Sequence, residues 1–133
     1  MDSLGRHFLG EFYNCTREIL NDKDRIAYIM TKAVEASRAT IIEPFFHKFS
    51  PQGVSGIIVI AESHLAIHTW PEFGFAAVDL FSCGEFDFTE ALRFIRDNLN
   101  SEKHSILSIK RGINVNSSSK TPVKHFESQE IRL

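Results

Sequence analysis

One short stretch of the chain, residues 62–72, concentrates side chains that can carry out chemistry. It reads Glu-Ser-His-Leu-Ala-Ile-His-Thr-Trp-Pro-Glu and supplies a hydroxyl at Ser63 and imidazoles at His64 and His68. A Ser-Cys-Gly sequence follows soon afterwards and adds the thiol of Cys83. Hydroxyls, imidazoles and thiols are the groups that proteins use as nucleophiles, general bases and proton donors. The stretch is therefore the candidate active site.

This stretch is predicted to lie on a β-hairpin. A Pro-Glu-Phe-Gly segment at 71–74 is a typical turn between two strand-like runs. The two runs cover residues 63–70 and 75–81. Pairing across the turn places Ser63 opposite Ser82 or Cys83, because residues equidistant from a hairpin turn face each other. We therefore expect a hydroxyl and a thiol side by side at the open end of the hairpin.

The alternation of side chains along a strand adds a second constraint. His64 and His68 are four residues apart and share a face, whereas Ser63 and His68 are five apart and point to opposite faces. In a regular strand, His68 cannot reach the Ser63 of its own chain. Any reaction between these two groups then requires a partner subunit and a site at a dimer interface.

The rest of the chain predicts an α+β fold, a two-layer sandwich with a mainly antiparallel sheet and two helices on one face. The predicted strands cover residues 6–13, 39–49, 54–61, 63–70, 75–81 and 104–111. The predicted helices begin at a cap (Asp22 or Asp24, then Asp87 or Thr89), and the first ends near Arg38. Pro44 indicates an irregular or edge strand. Twelve phenylalanines make a fully hydrated second sheet face unfavourable, so we expect the chain to dimerise.

Composition narrows the class of protein. With 133 residues the chain fits one domain, and a net charge of −2 does not favour binding to nucleic acid. No apolar run approaches the roughly 20 residues of a membrane span, and the N-terminus does not resemble a signal peptide, so a cytoplasmic location is expected. In that compartment, Cys15 and Cys83 are expected to be free thiols.

Residues 113–133 are polar and serine-rich and are predicted to form a mobile tail.

Three segments together identify a family. The segment ESHLAIHTWPE, the preceding GVSGIIVIA and the following DLFSCGE closely resemble the bacterial and archaeal S-adenosylmethionine decarboxylases in their short single-domain form. The resemblance covers roughly residues 3–112, so the domain is expected to span 1–112. Ala66 stands where the family usually has a hydroxyl residue. The resemblance implies conversion of S-adenosylmethionine to its decarboxylated form, the aminopropyl donor for spermidine synthesis.

The resemblance also implies that the chain cleaves itself. The Ser63 hydroxyl would attack the carbonyl of Glu62, and elimination would then release a β-chain (1–62) from an α-chain (63–133). Ser63 would become a covalent pyruvoyl cofactor. His68 matches the base of this processing reaction, and Ser55 matches a second processing residue that donates a hydrogen bond to the intermediate.

For the decarboxylation, the resemblance implies that the pyruvoyl ketone condenses with the amine of S-adenosylmethionine and accepts the electrons that carbon dioxide leaves behind. Cys83 matches the proton donor. Phe49 would stack on the adenine and Glu72 would bind the ribose hydroxyls. The expected assembly is a homodimer of processed protomers with active sites at the interface.

Three alternatives remain open from the sequence. The same chemistry on arginine or ornithine is one, although Phe49 and Glu72 suit a nucleoside. A non-catalytic regulatory homologue is another, although such a protein should have lost Ser63, His68 or Cys83. A zinc site at His64, His68 and Cys83 is a third, but strand ligands usually lie two residues apart and no fourth ligand is evident, so no metal is predicted.

Overall fold

A computed structural model describes residues 3–83, 88–115 and 126–133 of the chain. Within these residues the chain forms strands, three α-helices and one short 3-10 turn. In chain order they are β1 (Ser3–Tyr13), α1 (Arg17–Leu20), α2 (Lys23–Ala36), β2 (Ile41–Lys48), β3 (Val54–Ile60), β4 (Ser63–Trp70), the 3-10 turn (Pro71–Phe73), β5 (Phe75–Ser82), α3 (Thr89–Asn98), β6 (Lys103–Ile113) and β7 (Ser128–Ile131).

The strands form one sheet in the order β2-β3-β4-β5-β1-β6-β7, and every neighbouring pair is antiparallel. Strand β4, which carries most of the candidate site, lies inside the sheet between β3 and β5. Strand β2, which contains Pro44, lies at an edge, where a residue without an N–H does not interrupt a central ladder. These findings confirm the predicted antiparallel sheet and the position of β2.

The hydrophobic core lies between the sheet and the helices. Every second residue of the strands is buried against the helices, as at Leu65 and Ile67 of β4 and at Val78 and Leu80 of β5. The helices contribute one apolar face each, with buried positions Ile26, Ile29, Met30, Ala33 and Val34 in α2 and Ala91, Leu92 and Ile95 in α3. Both long helices therefore cover the same face of the sheet, as the sequence predicts.

Helix α2 begins as the sequence indicates. Asp22 is its N-cap, and the Asp22 carboxylate accepts a hydrogen bond from the backbone N–H of Arg25 at 3.1 Å. Helix α3 begins at Thr89, with Phe88 at the capping position, while the alternative cap Asp87 lies outside the described residues. No helix in the described part of the chain is long and apolar enough to cross a membrane.

The sheet face opposite the helices, here called the open face, carries exposed apolar side chains. Ile57 and Val59 of β3 are 39% and 41% exposed, and Trp70 at the end of β4 is 40% exposed. Their neighbours along each strand are buried against the helices, so this exposure follows from the alternation of the strand.

Two elements differ from the sequence prediction. The four-residue helix α1 was not expected, because one turn of helix leaves no periodic pattern to detect. The segment predicted as a mobile tail contributes strand β7, which pairs with β6 through Ile106 opposite Ile131 and Leu107 opposite Glu130. Ile131 and Leu133 pack against the core. The final residues of 113–133, predicted as a mobile tail, thus pair with β6, while residues 116–125 lie outside the described part of the chain.

This packing predicts that the end of the chain stabilises the domain. Replacing both Ile131 and Leu133 by alanine should lower the free energy of unfolding by about 2 kcal/mol, because two partly buried apolar side chains are removed. Urea denaturation measures this change. Glu130→Ala, at an exposed position of the same strand, is the matched control and should change stability by less than about 0.5 kcal/mol. An unchanged midpoint in the double variant would mean that β7 contributes nothing to the fold.

Candidate active site

The bond between Glu62 and Ser63 lies in a tight hairpin loop. Ile60 of β3 pairs with Ser63 of β4, so Ala61 and Glu62 alone make the turn. Glu62 has φ of +63°, a left-handed conformation that costs a residue with a Cβ roughly 1–2 kcal/mol. A strained residue therefore immediately precedes Ser63.

The Ser63 hydroxyl lacks a hydrogen-bond partner. Its Oγ atom is inaccessible to solvent and bonds to no group in the described part of the chain. Buried hydroxyls normally have a partner, and leaving one without costs about 1–3 kcal/mol. Among the described residues, this oxygen is consequently held in no competing interaction, and the carbonyl that it would attack belongs to the preceding residue, Glu62.

A thiol lies close to Ser63 across the hairpin. Ser63 pairs with Ser82, as the sequence register predicts, and Cys83 follows directly with its side chain exposed. The other cysteine, Cys15, is buried, and burial raises the pKa of its thiol to about 11. Cys15 therefore stays protonated and unreactive near neutral pH, which leaves Cys83 as the accessible thiol.

Ser55 and His68 form a hydrogen-bonded pair on the open face. They lie opposite each other in the β3–β4 ladder, and the Ser55 Oγ is 2.8 Å from the His68 Nδ1. Either atom can donate in this hydrogen bond, depending on the tautomer of His68, and the contact orients the imidazole so that Nε2 lies on the side away from Ser55. His68 is exposed, so this nitrogen is open to a group that approaches the sheet from outside.

Phe49 and Glu72 lie at the same end of β4 as His68. Phe49 is 48% exposed, and its ring packs edge-on against His47 at 4.7 Å between centroids. The Gln52 side-chain amide donates to a carboxylate oxygen of Glu72 at 3.3 Å, which links the loop after β2 to the turn after β4. An aromatic ring and a carboxylate are thus presented together near the Ser55–His68 pair.

The candidate residues form two separate groups. We call Glu62, Ser63 and Cys83 the cleavage half-site, and Phe49, Ser55, His68 and Glu72 the base half-site. Strand β4 runs from one to the other, and its five-residue step from Ser63 to His68 spans roughly 16 Å. Its pairing with β5 continues from Ser63 to Trp70 without a shift, so the two side chains point to opposite faces as predicted. A single chain does not bring the two half-sites together.

A cluster of rings that the sequence did not single out lies beside the cleavage half-site. His7 and His64 each lie opposite Phe81 in their strand pairs, and their ring centroids are 5.9 Å from that of Phe81. His7 Nε2 is 3.5 Å from a carboxylate oxygen of Asp79, but burial dominates and lowers the pKa of His7. From the sequence, His7 is not assigned a function, because it stands alone on β1 with no reactive neighbour in the sequence.

A metal site would require a group of side chains that could bind the ion together. In the ranges that the structure describes, no three His, Cys, Asp or Glu side chains are grouped so that they would hold a metal ion. The set His64, His68 and Cys83, considered above as a zinc site, is not such a group.

Comparison with known proteins identifies the family of the chain. The sequence profile of the family described as S-adenosylmethionine decarboxylase matches residues 6–112. The S-adenosylmethionine decarboxylase proenzyme of Clostridium tetani is 50% identical over 114 residues, which cover 85% of this chain and 90% of that protein. The proenzyme of Moorella thermoacetica is 52% identical over 114 residues, covering 85% of this chain and 91% of that protein.

A solved structure extends the similarity to the fold. The crystal structure of the adenosylmethionine decarboxylase from Aquifex aeolicus superposes with a TM-score of 0.80 at 30% identity. The match covers 90% of this chain and 100% of that one. Family profile, proenzyme relatives and fold all agree, and the chain belongs to the S-adenosylmethionine decarboxylase family.

Proposed function

We propose that the chain is a proenzyme that cleaves itself between Glu62 and Ser63 and then decarboxylates S-adenosylmethionine. The relatives at about 50% identity carry the name S-adenosylmethionine decarboxylase proenzyme. The observation that carries the proposal is the Ser63 hydroxyl, which is buried directly after the strained Glu62 and has no partner in the described part of the chain. The proposal also includes the conversion of this serine into a pyruvoyl group.

The cleavage starts with attack of the Ser63 oxygen on the carbonyl carbon of Glu62. The carbon–nitrogen bond then breaks, and the peptide bond becomes an ester between Glu62 and the Ser63 side chain. Removal of the proton from the Ser63 Cα expels Glu62 as a free carboxylate. Addition of water to the resulting unsaturated residue releases ammonia and leaves a ketone at position 63. The strain at Glu62 favours the first step, because opening the peptide bond releases it.

The base for this reaction comes from a second copy of the chain. His68 lies roughly 16 Å from Ser63 along β4, and its side chain leaves the sheet on the other face. A two-fold axis through the middle of β4, near Ala66, would bring the base half-site of one chain close to the exposed loop of Ala61 and Glu62 in the other, next to the Ser63 backbone. Two equivalent sites result, since the axis relates the chains symmetrically.

The open face suits such a partner. Ile57 lies directly opposite Ala66, and Val59 lies two residues further along the same face, so apolar side chains flank the proposed axis. Ile57 and Val59 are 39% and 41% exposed in one chain, and covering them would remove apolar surface from water. We therefore assign the open face to a homodimer that completes the active site.

The residues at the cleavage half-site fit a pyruvoyl group, because a serine that no other group engages follows the scissile carbonyl. Such a group supplies a ketone that binds the substrate amine and accepts the electrons released with carbon dioxide. Cys83 lies one residue beyond the partner of Ser63 and is exposed, so its thiol can deliver a proton to the substrate carbon.

The base half-site supplies the groups that recognise the nucleoside. Phe49 offers a half-exposed ring for stacking on adenine, and the Glu72 carboxylate can accept hydrogen bonds from the two ribose hydroxyls. The amide of Gln52 holds one of the Glu72 oxygens. Arginine or ornithine would use neither an adenine platform nor a ribose acceptor, so these residues favour S-adenosylmethionine.

The first test is the denatured mass of the purified protein before and after treatment with phenylhydrazine. The wild-type chain should give two fragments, 1–62 and 63–133, and only the second should gain the mass of the reagent. Ser63→Ala should fold and remain one intact chain, because the attacking oxygen is gone. An intact wild-type chain after long incubation would contradict the proposal and would favour a regulatory role.

The second test separates cleavage from decarboxylation. Cys83→Ala should still give both fragments but lose roughly 10²-fold or more of its decarboxylase activity, the scale of a general acid. Release of carbon dioxide from carboxyl-labelled S-adenosylmethionine measures this activity, and mass spectrometry of the product detects protonation at the wrong atom. Cys15→Ala is the control, since that thiol is buried away from the site. Full activity in Cys83→Ala would remove this residue from the mechanism.

A further inference from the structure

A buried hydroxyl joins the base half-site to the helical layer. Thr69, the residue after His68, is 7% exposed, and its side chain lies on the helix side of β4. The backbone N–H of Val54 donates to the Thr69 Oγ1 at 2.8 Å, and this hydroxyl donates to the backbone carbonyl of Leu20 at 2.8 Å. The carbonyl of Val54 is more distant, at 3.3 Å, so the single hydroxyl proton goes to Leu20.

The Thr69 hydroxyl accepts the first backbone N–H beyond the regular pairing of β3 with β4. The regular pairing of β3 with β4 ends at Ser55 opposite His68, and Val54 and Thr69 are the next residues beyond it. The Val54 N–H is therefore satisfied by a side chain that is itself anchored to the last residue of α1. The ends of both strands, just beyond the Ser55–His68 pair, are thus tied by hydrogen bonds to helix α1.

A second tie, here meaning a hydrogen bond that anchors this end of β3, involves Gly53, the residue before Val54. The backbone N–H of Gly53 donates to the side-chain oxygen of Asn21, next to Leu20, at 2.9 Å. Gly53 in turn accepts a hydrogen bond from the N–H of Phe49 at 2.8 Å, which closes the loop that carries the aromatic ring. Gly53 has φ of +105°, and a Cβ there would lie 3.2 Å from the Thr69 carbonyl oxygen, so the close approach requires glycine.

We propose that Thr69 and Asn21 are positioning residues that hold the base half-site in its reactive geometry. This inference rests on the function proposed above and adds residues that touch neither the scissile bond nor the substrate. Thr69 fixes the strand ends that carry Ser55 and His68, and Asn21 fixes the loop that carries Phe49. The two ties consequently act on different steps, one on self-cleavage and the other on substrate binding.

Self-cleavage tests the Thr69 tie. Thr69→Val keeps the shape but leaves the Val54 N–H without an acceptor, and it should slow cleavage roughly ten-fold or more, as small displacements of reacting groups do. Thr69→Ser restores the hydroxyl and should cleave within about three-fold of the wild-type rate. Ile95→Val, a core substitution in α3, is the control for general loss of stability and should cleave at the wild-type rate. The measurement is the fraction of intact chain against time by denatured mass.

Steady-state kinetics of the processed enzyme tests the Asn21 tie. Asn21→Ala should raise the KM for S-adenosylmethionine several-fold and leave kcat close to the wild-type value, because it loosens the Phe49 loop. Asn21→Asp keeps an acceptor oxygen for the Gly53 N–H and should restore the KM. A merely structural residue would not separate KM from kcat in this way.

Each outcome decides a different claim. If the wild-type chain is never cleaved, the proposed function fails before the positioning residues are tested. If the wild-type chain is cleaved and Thr69→Val is folded but no slower than Ile95→Val, the positioning role of Thr69 is overturned. Where Thr69→Val gives no folded protein, the Asn21 variants decide, and an equal KM for Asn21→Ala and Asn21→Asp overturns the inference.

Discussion

The unshifted pairing of β4 with β3 and β5 is the constraint on which the rest of the site depends. Because side chains alternate along a strand, it places the Ser63 hydroxyl on the helix side of the sheet and the His68 imidazole on the open face. It also separates the two groups along the strand. One chain therefore carries both candidate half-sites but does not join them.

The two layers of the fold give each half a different environment. On the helix side, Ser63 is enclosed beside the core and its hydroxyl is left without a partner. On the open face, the Ser55–His68 pair is exposed next to apolar side chains that favour contact with another surface. In the proposed dimer, the His68 of the other chain would therefore approach the Ser63 backbone, whose Cα carries the proton to be removed, and not the enclosed hydroxyl. Thr69 links the exposed half to the short helix α1 through its hydrogen bond to Leu20.

Much of this arrangement is predictable from the sequence, because it depends on local signals. The Pro-Glu-Phe-Gly turn sets the register of β4 against β5, so Ser63 is expected opposite Ser82 or the residue beside it, and the structure has Ser82. The two-residue loop at Ala61 and Glu62 sets the register against β3 in the same way. The opposition of Ser55 and His68 follows from that loop, but the predicted strand bounds 54–61 and 63–70 left only one residue in it, so neither this register nor the hydrogen bond was anticipated.

What the sequence did not reveal depends on tertiary contacts. The one-turn helix α1 has no periodicity, and its importance lies in a carbonyl that accepts from Thr69. Strand β7 consists of polar residues and one isoleucine, and it forms because the edge of β6 offers unpaired backbone groups. The ring cluster around His7 joins three strands that are distant in sequence. No local pattern encodes such contacts.

The claim that each active site uses two chains is tested most directly by mixing inactive variants. Ser63→Ala and His68→Ala, carrying different tags, are co-expressed, and dimers holding both tags are isolated and analysed by denatured mass. Neither variant alone should be cleaved. In the mixed dimer the His68→Ala chain should be cut after Glu62, because its Ser63 meets the intact His68 of the other chain, while the Ser63→Ala chain stays whole. A mixed dimer in which both chains remain intact would contradict the account.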